Sequence, residues 1–174
     1  MSEVEMKNYG QPLVAIVMGS QSDAKSMKPC RDILMSLEIP LIARVISAHR
    51  TPEQTGAFAK NASGSGIEII IAGAGASAAL PGTVAAHTHL PVIGVPLNAT
   101  SLGGLDALFA IAQMPSGIPV ATMAIGEAGA KNAGLYAARI LALTHPDIKT
   151  RLLAHNDRVF LDAKEKTSLD PFSE

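Results

Sequence analysis

The sequence predicts an α/β domain built on a parallel sheet, and three observations carry that expectation. Short apolar runs recur at a steady interval, segments with helical spacing lie between them, and most runs are apolar throughout rather than alternating. The runs are "LVAIVM" (13–18), "LIARVI" (41–46), "IEIIIA" (67–72), "PVIGV" (91–95) and "PVATMAI" (119–125), with starts 24 to 28 residues apart. That interval holds a strand, a turn and a crossover helix, and an unbroken apolar run suits a strand covered on both faces. Strands joined in this way run parallel with right-handed crossovers. The expected architecture is a three-layer, flavodoxin-like (Rossmann-like), doubly wound domain with a five-stranded parallel sheet and an extra C-terminal helix.

The segments between the runs support this in order. After the first run, Met27, Ile33, Leu34 and Leu37 are spaced for one helix face. After the second, Pro52 opens a helix-like segment, as proline does at a first helical position. Helical spacing then returns over 83–89, 102–112 and the alanine-rich 128–143. A last helix-like segment from Pro146 to about Lys164 places Ile148, Leu152, Val159 and Ala163 on one face, with Leu153 and Phe160 beside it. No sixth strand follows, so that face is left to pack on the same subunit or on a neighbour. No repeat or linker divides the chain. Residues 1–12 read as an N-terminal tail, 13–145 as the α/β domain, and 146–174 as a C-terminal helix ending in the polar tail "KEKTSLDPFSE".

Composition narrows the function classes. Hydrophobic residues make up 48% and charged residues 17% of the 174, against roughly 25% charged in an ordinary domain. So few charges on a short chain favour a homo-oligomer. The formal net charge is -1 and no basic tract is present, which argues against a nucleic-acid partner held by phosphate neutralisation. The single cysteine, Cys30, cannot form an internal disulfide and reads as a small buried apolar residue. The N-terminal "MSEVEMKNYGQP" lacks a signal peptide's apolar stretch. The stretch 67–86 is rich in Gly and Ala and broken by Pro81, so no membrane span is expected. The expectation is a soluble, cytoplasmic protein.

Ligands of open parallel sheets bind beyond the carboxyl ends of the strands. There the first run is followed by Gly19-Ser20-Gln21-Ser22-Asp23, the second by Ser47-Ala48-His49-Arg50, and the third by Gly73-Ala74-Gly75-Ala76-Ser77. The first is a tight turn with two hydroxyls and a helix start, a setting that attracts an anion. Equally, Ser22 or Asp23 reads as a helix cap alone. The third is a small-residue loop that lets a flat ligand approach backbone amides, or simply a tight turn. His49 and Arg50 are more informative. A guanidinium binds phosphate bidentately, and an imidazole with an ordinary pKa near ~6.5 gives or takes a proton at neutral pH. His87 and His89 lack a nearby carboxylate or thiolate partner, so no metal site is expected; His145 and His155 read as surface or interface.

The motifs "VAIVMGSQSD", "SAHRTPE", "IIAGAGASAALPG", "PVIGVP" and "SLGGLDALFAIAQMPSGIPVATMAIGEAGAKNAGLYAARIL" occur in this order across roughly residues 13 to 143. Together they resemble the 5-(carboxyamino)imidazole ribonucleotide mutases of purine biosynthesis, also called the catalytic subunit of phosphoribosylaminoimidazole carboxylase. The resemblance implies a cofactor-free enzyme that moves a carboxylate from the exocyclic nitrogen of an aminoimidazole ribonucleotide to a ring carbon. It assigns the general acid/base to His49. It places Ser20, Ser22, Ser47 and Arg50 in the phosphate region and Asp23 at the ribose. Gly73, Ala74 and Gly75 fall on the base pocket, near which the loop 113–119 closes, and Gly19, Ala48, Ser77 and Leu80 count among the substrate-binding residues. It further implies an octamer whose C-terminal helix docks on a neighbour.

One departure is visible. Relatives usually read "AGAGGAAHLPG" where this chain has "AGAGASAALPG", so Ala79 stands where a histidine is usual and Ser77 where an alanine is usual. Besides the mutase, two readings stay open: a carboxylase fed by free carbon dioxide, and a ribonucleotide-binding relative with low activity.

Overall fold

The computed structural model of the chain describes residues 10–167. Five parallel strands form one sheet in the order β2-β1-β3-β4-β5: β1 (Val14–Met18), β2 (Leu41–Val45), β3 (Ile69–Gly75), β4 (Val92–Leu97) and β5 (Ala121–Thr122). Helices α1 (Ala24–Ser36), α2 (Pro52–Asn61), α3 (Leu80–Ala85), α4 (Leu105–Ala112) and α5 (Gly126–Leu141) make the crossovers, and α6 (Pro146–Thr167) follows. The predicted fold class is the observed one.

The central strands are apolar on both sides because both sides are covered. On one face, Met27, Cys30, Ile33 and Leu34 of α1 meet Ala130, Ala133, Ala137 and Ala138 of α5 over the sheet. On the other, Ala59 of α2, Val84 of α3 and Ala107 and Ile111 of α4 complete a second core. Small residues set the spacing. A Cβ on Gly134 of α5 would stand 2.9 Å from the Cys30 carbonyl oxygen, and one on Gly94 of β4 would stand 2.4 Å from Ile111 Cγ2. The alanine richness of α5 is thus a condition of close helix packing.

Several boundaries differ from those expected, each for a local reason. Strand β2 lies at the sheet edge, so its run is not covered on both faces; Val45 is 49% exposed. Strand β5 keeps two residues rather than the run 119–125, since β4 pairs with it only at Ile93–Ala121 and Gly94–Thr122. Helix α3 starts at Leu80, with Pro81 in its first turn, and ends before His87. Helix α4 begins at Leu105 because Gly103 and Gly104 hold φ of 66° and 88°, a turn that precludes helix from 102.

Helix α6 is tied down at its start. The His145 ring meets both Glu68 oxygens at 2.9 and 3.0 Å, Arg151 Nε donates to the Leu37 carbonyl at 2.7 Å, and Ile148 and Leu152 are buried. Beyond them no described residue covers the expected stripe, and Val159, Phe160 and Ala163 are exposed. The helix runs through Thr167, past the expected end near Lys164. Residues 1–9 of the N-terminal tail and 168–174 of the C-terminal tail lie outside the described residues. Among the described residues no helix is long and apolar enough to cross a membrane.

Cys30 is fully buried, and burial pushes its thiol up to about 12. Thiolate is the reactive form. Ellman's reagent should therefore leave the native protein unlabelled over minutes and modify one thiol per chain after denaturation. Rapid native labelling would contradict the packing of α1 against α5.

Candidate active site

The chain leaves β1 toward β2 on one side of the sheet and later returns to β3 on the other, so the order reverses beside β1. The register brings the carboxyl ends level, with Met18 opposite Val45 and Gly73, and Gly75 opposite Leu97. Reversal of strand order opens a crevice at this edge. A cleft of about 420 Å³ lies there.

The loop after β1 is held by reciprocal hydrogen bonds. Ser20 Oγ accepts from the Ser22 amide at 3.3 Å and from the Ser22 hydroxyl at 2.9 Å, while the Ser20 amide donates to Asp23 Oδ2 at 3.0 Å. Ser20, in extended conformation, caps the 3-10 turn Gln21–Asp23 that leads into α1. The Asp23 carboxyl is raised above its ordinary range by partial burial, against the opposing pull of the Ser20 and Gly19 amides. Its residue lines the cleft.

The loop after β2 is folded on Ser47. Its carbonyl accepts from the Thr51 amide at 2.8 Å and the Thr51 hydroxyl at 3.0 Å, and its Oγ accepts from the Arg50 amide at 3.2 Å. Arg50 then reaches across the reversal point, where Nη2 donates to the Gly19 carbonyl at 3.0 Å. One guanidinium fastens the second loop to the first, and its fork leaves donors for an anion. His49 lines the cleft, is exposed, and makes no hydrogen bond with any described residue. Its imidazole is available for proton exchange.

The third wall comes from β3 and the turn after it. Ala74, Gly75, Ala76, Ala78, Ala79 and Leu80 line the cleft. Ala76 and Ala78 hold φ of 52° and 33°, a left-handed geometry that costs an alanine roughly 1–2 kcal/mol each. The fourth wall is Ala99, beyond β4. A Cβ on Gly75 would stand 2.4 Å from Ala99 Cβ, so this approach requires glycine.

Of the residues singled out in the sequence, the cleft gathers Gly19, Ser20, Ser22, Asp23, Ser47, Ala48, His49, Arg50, Ala74, Gly75 and Leu80. Gly73 and Ser77 are not among its lining. Gly73 faces α1, where a Cβ would meet Met27 Sδ at 2.5 Å, and Ser77 is exposed beyond the turn. The loop 113–119 supplies no lining residue; its Met114 packs at Gly82 instead. Ala99 was missed in the sequence, although the same strand-end rule applied to "PVIGVPLNA" reaches it. Two other histidines are occupied elsewhere, His87 against the Thr83 carbonyl at 2.8 Å and His145 at Glu68. Among the described residues no group of three or more His, Cys, Asp or Glu side chains is placed to hold a metal ion.

A profile of the family described as AIR carboxylase matches residues 13–159. The chain belongs to the AIR carboxylase family. It is 55% identical over 149 residues to the N5-carboxyaminoimidazole ribonucleotide mutase of Pyrococcus horikoshii, covering 86% of this chain and 82% of that protein. The mutases so named from Bacillus subtilis and Thermotoga maritima are 54% and 50% identical over 82% and 89% of this chain, and 88% and 90% of their own lengths. The crystal structure of Treponema denticola PurE superposes with a TM-score of 0.79 at 30% identity, covering 91% of this chain and all of that one.

Proposed function

We propose that this protein is a cytoplasmic mutase of purine biosynthesis, an isomerase that converts 5-(carboxyamino)imidazole ribonucleotide to 4-carboxy-5-aminoimidazole ribonucleotide. Family membership and the relatives named as mutases support the reaction class. The observation that carries the residue roles is the convergence of one unpaired imidazole and one guanidinium on the cleft at the strand reversal.

The phosphate takes the Arg50 donors and the hydroxyls of Ser20, Ser22 and Ser47, the ribose hydroxyls meet Asp23, and the flat heterocycle lies against Ala74 and Gly75. The carbon–nitrogen bond of the carbamate breaks to give carbon dioxide, and the departing nitrogen receives a proton from His49. The electron-rich ring carbon attacks the retained carbon dioxide. Loss of that carbon's proton to His49 restores both the aromatic ring and the protonated imidazole. One proton carrier and a pocket that retains carbon dioxide are what this sequence of steps needs from the protein.

One observation favours the reading in which free carbon dioxide is used. Ala76, Ala78 and Ala79 leave the third wall without a polar side chain, and such a wall holds carbon dioxide less firmly. The proposal includes a homo-octamer in which the exposed half of α6 docks on a neighbouring copy.

His49→Gln should lower kcat by on the order of a hundredfold or more, while the ribonucleotide still binds. A rate within a few-fold of wild type would remove His49 from the mechanism. Arg50→Ala should weaken the ribonucleotide by about tenfold or more, far more than it weakens the dephosphorylated riboside; equal losses would remove the phosphate role.

Deleting 146–174 should lower the particle mass in light scattering, or leave the chain insoluble. A soluble product of unchanged subunit number would show that α6 does not assemble the protein.

A further inference from the structure

The wall supplied by Ala99 belongs to a loop with no regular structure of its own, yet the loop is closed by specific bonds. Thr100 Oγ1 donates to Asp106 Oδ2 at 2.7 Å and accepts from the Leu102 amide at 3.2 Å. The Thr100 carbonyl accepts from the Gly103 amide at 3.2 Å. The left-handed Gly104 turns the chain back on its start, where a Cβ would stand 3.4 Å from the Asn98 amide nitrogen and 2.6 Å from Ile125 Cγ2. Asp106 sits in the first turn of α4, whose Ala107 and Ile111 are anchored in the core.

The Asp106 carboxylate is therefore a fixed post and Thr100 is the tie. Asp106 Oδ1 is buried and has no hydrogen-bond partner among the described residues. Half-satisfying a carboxylate is costly, and a neutral aliphatic residue here would avoid that cost but could not hold Thr100.

We propose that Thr100 and Asp106 form a positioning clamp that holds Ala99 against Gly75 and so sets how closely the heterocycle end of the substrate is gripped. The two act through the Ala99 wall and are positioning residues. When the tie is cut, the loop 98–104 swings from the cleft and ligand affinity falls, while the proton-carrying group stays in place.

The test compares Thr100→Val, Asp106→Ala and Asp106→Asn with wild type, well below their melting temperatures. The kinetic arm rests on the mutase reading above and uses the carboxyamino ribonucleotide. Thr100→Val and Asp106→Ala should raise KM by about tenfold with kcat lowered less. Asp106→Asn, which keeps an oxygen for Thr100, should recover most of that loss. An unchanged KM in an otherwise active enzyme, or a fall in melting temperature with no change in KM, would overturn the clamp. Hydrogen exchange over residues 98–104 is read on the same proteins without substrate. Faster exchange in Thr100→Val is expected, and unchanged exchange would overturn the clamp even if wild type proved inactive on this substrate.

Discussion

Strand β1 is buried along its whole length and pairs with β2 on one side and β3 on the other. Because the chain leaves it in both directions, the three loops beyond its carboxyl end cannot cover one another. The cleft exists for that reason, and the three motifs distant in sequence become walls of one space. The bond from Arg50 to the Gly19 carbonyl closes the arrangement at the only wall that comes from an edge strand. Without it the β2 loop would hang on a strand whose outer side has no partner among the described residues.

The walls themselves depend on small residues. Gly75 admits Ala99, Gly73 admits Met27 and Gly94 admits Ile111. Larger side chains at these positions would push the walls or the helices apart. Alanines in left-handed geometry at 76 and 78 show that the turn after β3 is fixed by its surroundings rather than by local preference. The polar chemistry is correspondingly sparse: two serine-based turns, one carboxylate, one guanidinium and one imidazole. The imidazole alone among these makes no hydrogen bond to the described residues, which suits the proton carrier proposed for it.

Much of this was legible in the sequence. Unbroken apolar runs at regular intervals specified β1, β3 and β4, because strands covered on both faces leave no polar alternation. The same criterion found β2, whose exposed Arg44 marks the sheet edge, but lengthened β5, since an edge position leaves no mark on a run as apolar as "PVATMAI". The loops after β1 and β2 were found from glycine, serine and charged residues at strand ends. Gly73 and Ser77 fall off the cleft because strand pleat and turn geometry, which composition does not encode, aim them elsewhere. The Thr100–Asp106 bond was invisible for a related reason: a tie across six residues depends on how Gly103 and Gly104 bend the chain.

The central claim is that carboxylate transfer takes place inside one cleft, with the carbon retained between bond breaking and bond making. The most direct measurement places carbon-13 in the carboxylate of the carboxyamino ribonucleotide and follows turnover in a buffer of unlabelled bicarbonate. The account predicts that most of the 4-carboxy product carries the label. A product whose carboxylate comes from the buffer would contradict it and assign the cleft to a carboxylase fed by free carbon dioxide.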